Sequence, residues 1–82
     1  MKRVSYSREA LKALRRMPTN TARRIEEKIE AYAADPQSMA NNVKALKGHN
    51  AIRLRVGDWR VIMIDGSVLD VIRIAPRGNV YD

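Results

Sequence analysis

Two periods divide the chain. Up to about residue 34 the apolar residues recur every three or four positions, and beyond residue 50 they alternate. Lys2 to Tyr6 is a short alternating run with Val4 and Tyr6 on one side, which predicts a strand. Ser7 then stands where an N-cap is expected, and Ala10, Leu11, Leu14 and Met17 form one stripe of a helix whose other face carries Arg8, Lys12, Arg15 and Arg16. Pro18 interrupts that helix. Thr19 or Asn20 is the expected cap of a second one, with Ala22, Ile25, Ile29 and Tyr32 on its packing face and Asp35-Pro36 at its end. So short a link predicts a helical hairpin. From Pro36 to Asn42 the chain reads as polar and irregular. Three strands follow: Ile52 to Val56, Trp59 to Ile64 and Val68 to Ala75, separated by turns at Gly57-Asp58 and Asp65-Gly66. Pro76-Arg77-Gly78 ends the last, and Asn79 to Tyr81 reads as a short closing strand. The pattern predicts one α+β domain over residues 1–82, ordered β-α-α-β-β-β. A helical hairpin packs on one face of a mostly antiparallel four-stranded sheet.

Composition narrows the function classes. A chain of 82 residues holds one thin core. It has no cysteine, so neither disulfides nor thiolate metal sites apply, which suits a reducing cytoplasm. No apolar run approaches the ~20 residues of a membrane span, and the basic N-terminus lacks the apolar stretch of a secretory signal. With a single histidine (His49) and no close acidic pair on the strands, no metal-ligand spacing or serine-type triad is apparent. Phosphate-binding glycine motifs are absent too, so no cofactor is indicated.

Charge changes the picture most. Sixteen Lys and Arg stand against nine Asp and Glu, a net +7. The excess is spread evenly, so it is not a basic tail. Such a balance favours a polyanionic partner. Alternation puts Arg53 and Arg55 on the face opposite Ile52, Leu54 and Val56, and therefore away from the helices. Arg60 follows the turn onto the next strand, Arg77 follows the strand after that, and Lys44 and Lys47 lie on the approach. Guanidinium groups match phosphate oxygens. Each position also has a plainer reading: Arg53 and Arg55 as solvated residues, Arg60 as an edge charge that deters aggregation, Trp59 as core, Tyr81 as a packing residue and His49 as a loop residue.

Taken in order, these residues resemble a known family. Leu46-Lys47-Gly48 followed by Ile52 to Ile62, the N-terminal helical stretch from Ala10 to Pro18, and the closing segment from Ile72 to Tyr81 together resemble the RelE/ParE superfamily of small bacterial toxins, across essentially the whole chain. The resemblance implies the microbial-ribonuclease-like RelE fold and a toxin of a type II toxin–antitoxin module. Such a toxin is a metal-independent endoribonuclease that cleaves mRNA in the ribosomal A site, with mRNA, the ribosome and a cognate antitoxin protein as partners. It implies Arg53, Arg60, Arg77 and Tyr81 as catalytic residues and Lys44, Lys47 and Arg55 as RNA-binding ones. One position departs: the better-known members carry a lysine where this chain has Ala51, and Lys44 or Lys47 is the candidate substitute.

The implied chemistry is attack of an RNA 2′-hydroxyl on the adjacent phosphorus, giving a 2′,3′-cyclic phosphate and a 5′-hydroxyl. Arg60 and Arg53 would stabilise the charge gathering on the phosphoryl oxygens. Tyr81 would take the 2′ proton and Arg77 assist the leaving oxygen. The main alternative is a ParE-like toxin, of the same fold but acting on DNA gyrase through protein contacts. A non-catalytic RNA-binding domain is a third reading, but it lacks the aromatic platforms expected of one.

Overall fold

Ser7 starts the first helix as the pattern predicts. In the computed structural model, which describes residues 1–47 and 50–78, its Oγ accepts from the Ala10 N–H at 3.0 Å and donates to the Ile72 carbonyl at 2.8 Å. The cap thus ties helix α1 (Arg8–Arg16) to the sheet. Glu9 in the first turn and Arg15 and Arg16 in the last complement the helix dipole. Met17 is extended because Pro18 follows it, which ends the helix. Helix α2 (Thr19–Ala34) is capped by Pro18 rather than by Thr19 or Asn20: proline's fixed φ suits the position, and Thr19 is already helical. Asn20 instead accepts from the Thr21 N–H through its side chain.

Ala10, Leu14 and Met17 are buried along α1, whereas Leu11, expected in the same stripe, is 39% exposed. It stands about 100° round the helix from Ala10 and so falls at the rim of the packed face. Ile25, Ile29 and Tyr32 are buried on α2, as its spacing predicts.

The sheet has five strands rather than four. Strands β1 (Val4–Tyr6), β2 (Val43–Ala45), β3 (Ala51–Val56), β4 (Trp59–Asp65) and β5 (Leu69–Pro76) lie in the order β1-β5-β4-β3-β2. Only β1 with β5 is parallel; the other pairs are antiparallel. The added strand is three residues long and carries no alternation a reader could detect. It exists because β3 offers it an edge, with Val43 opposite Leu54 and Ala45 opposite Ile52. Pro36–Asn42, expected to be irregular, forms a 3₁₀ segment held by the Ser38 hydroxyl donating to the Asp35 carbonyl and by buried Met39. The closing strand expected over Asn79 to Tyr81 lies outside the described residues, as does His49.

Both helices cover one face of the sheet, where Leu54, Val56, Val61, Met63, Leu69, Val71 and Ile74 complete the core. Trp59 packs against it half-buried, as expected of a core residue. Gly57, at φ +58°, begins the two-residue β3–β4 turn in the left-handed conformation that glycine adopts at no steric cost. A bulge in β5 opposite Ile62/Met63 keeps both Val71 and Ile74 on the core side and leaves Ile72 39% exposed.

At the far end of β4, Asp65 accepts from Tyr32 Oη at 2.8 Å and pairs with Lys2. Burial pushes the Asp65 carboxyl up, but the hydrogen bonds from Lys2 and Tyr32, with the Lys2 charge, hold it below the ordinary carboxylate range. A carboxyl depressed in the folded state adds stability that is fully present above the unfolded value, about 3.9. That stability is lost as pH falls through the lowered value. Asp65→Asn is therefore expected to lower Tm at pH 7, with the gap from wild type closing as pH drops below about 4. Thermal melts at pH 7 and pH 3 check this, and equal gaps at the two pH values would refute it.

Candidate nucleic-acid interface

The open face of the sheet is built by the register of three hairpin-linked strands. Lys44 stands opposite Arg53, Arg53 opposite Ile62, and Ile62 opposite Arg73, forming one row across β2 to β5. In the next row Arg55 stands opposite Arg60, and Arg60 opposite Ala75. Alternation along each strand sends all of these away from the helices. The expected outward face of Arg53 and Arg55 is thus the observed one, with Arg55 exposed and Arg53 half-buried.

Two features distinguish this face from an ordinary solvated one. First, it has an apolar floor. Ile62 is 4% exposed and Ala75 7%, yet neither belongs to the core cluster under the helices. Second, both Lys44–Arg53 and Arg55–Arg60 are like charges in directly opposed cross-strand positions, an arrangement that costs stability. Four of these cations, with Asn41, Asn42 and Val43, line an open cleft of about 180 Å³. That volume suits a phosphate group and its immediate neighbours better than a buried cofactor.

Arg60 is oriented by its own turn. Its Nη1 donates to the Gly57 carbonyl at 3.3 Å and to the Trp59 carbonyl at 3.2 Å. A guanidinium held this way presents its planar fork in a fixed direction, which is what an electrostatic site needs. Arg77 lies at the same end, its backbone N–H donating to the Asp58 carbonyl at 2.7 Å. It does not line the cleft. Lys47 does not line it either. It follows β2 on the β2–β3 connection, beyond Ala51 and so at the opposite end of β3 from the Gly57 turn. Tyr81 lies outside the described residues.

The other two tyrosines are unsuited to take a proton. Burial, with Glu26 and Glu30 nearby, pushes Tyr6 up to about 12. Burial and the Asp65 carboxylate do the same for Tyr32. Both are committed to the helix side of the sheet. Among the described residues no group of three or more His, Cys, Asp or Glu is arranged to hold a metal ion. No helix among them is long and apolar enough to cross a membrane.

Sequence reasoning missed Asn41, Asn42 and Arg73. The asparagines approach the cleft through the 3₁₀ segment and have no periodic signal. Arg73 had one: its neighbour Ile74 is core, so alternation sends Arg73 to the open face, but the bulge at Ile72 hides that phase.

A family model described as the ParE toxin of the type II toxin–antitoxin system parDE matches residues 4–81. No curated protein matches the chain significantly. Among solved structures, the chain resembles one in the archaeal RelE–RelB complex from Pyrococcus horikoshii OT3. The two are 28% identical over 96% of this chain and 98% of that one, with a TM-score of 0.81. It also resembles a chain of the RelB–RelE antitoxin–toxin complex from Methanococcus jannaschii, at 25% identity, 95% of each chain and a TM-score of 0.72. A chain of the intact E. coli RelBE toxin–antitoxin complex shares the fold at a TM-score of 0.77, over 98% of this chain and 100% of that one, with 14% identity.

Proposed function

From the premise that the chain belongs to the ParE toxin family of type II toxin–antitoxin systems, within the RelE/ParE superfamily, we propose that it is a metal-independent endoribonuclease of the RelE kind, cutting mRNA in the ribosomal A site. The observation that carries this reading is the pair of directly opposed like-charge contacts, Lys44–Arg53 and Arg55–Arg60, in one open cleft. A fold that holds cations against each other gains most when a polyanion occupies the cleft.

In the proposed reaction the RNA 2′-oxygen bonds to the adjacent phosphorus as the bond from phosphorus to the 5′-oxygen breaks. The products are a 2′,3′-cyclic phosphate and a 5′-hydroxyl. Arg60 and Arg53 stabilise the charge that develops on the non-bridging oxygens. Tyr81, as the phenolate favoured by the arginine cluster, takes the 2′ proton. Arg77 stabilises the leaving 5′-oxygen, which takes a proton from solvent water to become the hydroxyl. Lys44, Arg55 and Lys47 hold the flanking phosphates. The work is cytoplasmic, where ribosomes are. An antitoxin partner is supported by the two archaeal relatives, each solved in complex with RelB. An acidic segment that folds on the basic face would complement it.

The test is primer extension on mRNA held in programmed ribosomes, with toxin pre-treated with EDTA. New A-site cleavages that survive EDTA support the reading. Tyr81→Phe is expected to cut at least about 10²-fold more slowly, and full activity in that variant would remove Tyr81 from the mechanism. The family match also favours a second reading, a ParE-like toxin acting on DNA gyrase through protein contacts. Blocked supercoiling without any cleavage would select it.

A further inference from the structure

The β3–β4 turn gathers arginines from four different parts of the chain. Arg60 of β4 donates to two of its carbonyls. Arg77, just past β5, binds the Asp58 carbonyl through its backbone. Arg24 of α2 lies against the turn from the helix side: its Nη2 is 3.4 Å from where a Cβ on Gly57 would stand, and it shares a concavity with Asp58 and Trp59. Arg16, at the end of α1, lines a neighbouring concavity with Trp59 and Pro76, which are themselves opposed across β4 and β5.

Arg16, Arg24 and Arg77 are exposed, and among the described residues no ion pair joins any of them to an acidic side chain. Asp58 is the single acidic group lining these concavities. Four cations around one acid at a single end of a domain measuring 28 × 25 × 24 Å contrast with α2 as a whole, where Arg23, Arg24 and Lys28 are balanced by Glu26, Glu27 and Glu30. The ring also continues the cleft, because Arg60 belongs to both.

We propose that Arg16, Arg24 and Arg77 form a phosphate-binding collar that carries an RNA backbone out of the open-face cleft, around the Gly57–Trp59 turn and onto the helix side. This rests on the ribonuclease reading and deepens it: the substrate is an extended RNA strand engaged well beyond the reacting phosphodiester. Arg16 and Arg24 add affinity and take no part in the chemistry. A Cβ on Gly57 would stand in ordinary contact with the Arg24 guanidinium, so Arg24 lies beside this turn while the φ of +58° accounts for the glycine.

The experiment measures binding of a 12-nucleotide single-stranded RNA, 2′-O-methylated to block cleavage, by fluorescence anisotropy over a range of salt concentrations. Each phosphate contact contributes about 0.7 to the slope of log K against log salt for single strands. The double variant Arg16→Gln/Arg24→Gln is expected to flatten the slope by about 1.4. The control Arg3→Gln/Arg8→Gln removes the same charge from elsewhere on the surface and should flatten it by less than half as much. An unchanged slope in the first variant, or an equal loss in both, overturns the collar while leaving the ribonuclease reading standing. Failure of the wild-type chain to bind this RNA at all also overturns the collar, whereas the ribonuclease reading falls only if A-site cleavage is absent in programmed ribosomes. Circular-dichroism melts confirm that each variant is folded, and should Arg24→Gln fail to fold, Arg16→Gln alone should flatten the slope by about 0.7.

Discussion

Arg60→Ala is expected to reduce A-site cleavage by about 10²–10³-fold, the usual cost of removing one preorganised donor from a charge-stabilising site. The structure gives the reason for choosing this arginine over its neighbours. Arg53, Arg55 and Lys44 also line the cleft, and the Arg60 guanidinium is held against its own turn, at the Gly57 and Trp59 carbonyls. Its orientation therefore needs no rearrangement when a phosphate arrives. The stability of the same variant should hardly move. Truncation loses the hydrogen bonds to the Gly57 and Trp59 carbonyls at a half-exposed site, and it also relieves the direct opposition of Arg55 and Arg60, an effect worth roughly 0.2–1 kcal/mol. A large fall in cleavage with Tm kept within a few degrees would mark Arg60 as functional rather than structural. Arg60→Lys should recover only part of the rate, because it restores the charge without the planar fork. Cleavage at wild-type rates in Arg60→Ala would end the electrostatic account of this cleft.

Leu54→Ala is expected to have the largest effect on stability, a loss of about 2–5 kcal/mol. Leu54 is fully buried, lies between Arg53 and Arg55 on β3, and stands opposite Val43 on one side and Val61 on the other. It is the point at which the core grips the strand that carries the cleft. At roughly 4–8 °C per kcal/mol for a domain of this size, even the lower bound lowers Tm by about 8–16 °C. Small domains have only about 5–15 kcal/mol in total, so the variant should be partly unfolded at growth temperature. Thermal denaturation measures this, and a shift below about 4 °C would mean that the site collapses around the gap.

The two variants separate the two faces of one strand. Along β3 each residue faces either the helices or the open side of the sheet, and a one-residue slip in pairing would exchange them. The bulge opposite Ile62/Met63 shows the same logic in β5, where an extra residue keeps Val71 and Ile74 inward and puts Arg73 on the open face. The RelE/ParE assignment read from the order of the motifs agrees with the family match and with the shared fold of the archaeal relatives.

The helical hairpin, the three long strands, their turns and the outward face of Arg53 and Arg55 were determined by the sequence alone. Each depends on neighbours only a few positions away, and local periodicity, a Ser7 cap, Pro18 and Gly57 are enough to specify them. Tertiary structure decided the rest. Val43–Ala45 becomes a strand only because β3 presents an unpaired edge, and this brings Lys44 opposite Arg53. Lys47, two positions past the end of that strand, is left outside the cleft. Ile62 and Ala75 are as apolar as any core residue, yet register assigns them to the floor of the open face. Arg16 falls on the polar face of its helix by periodicity, and only the packing of both helices brings it and Arg24 to the β3–β4 end. In every such case the deciding partner is distant in the chain, so the information lies in which surfaces meet rather than in any local pattern.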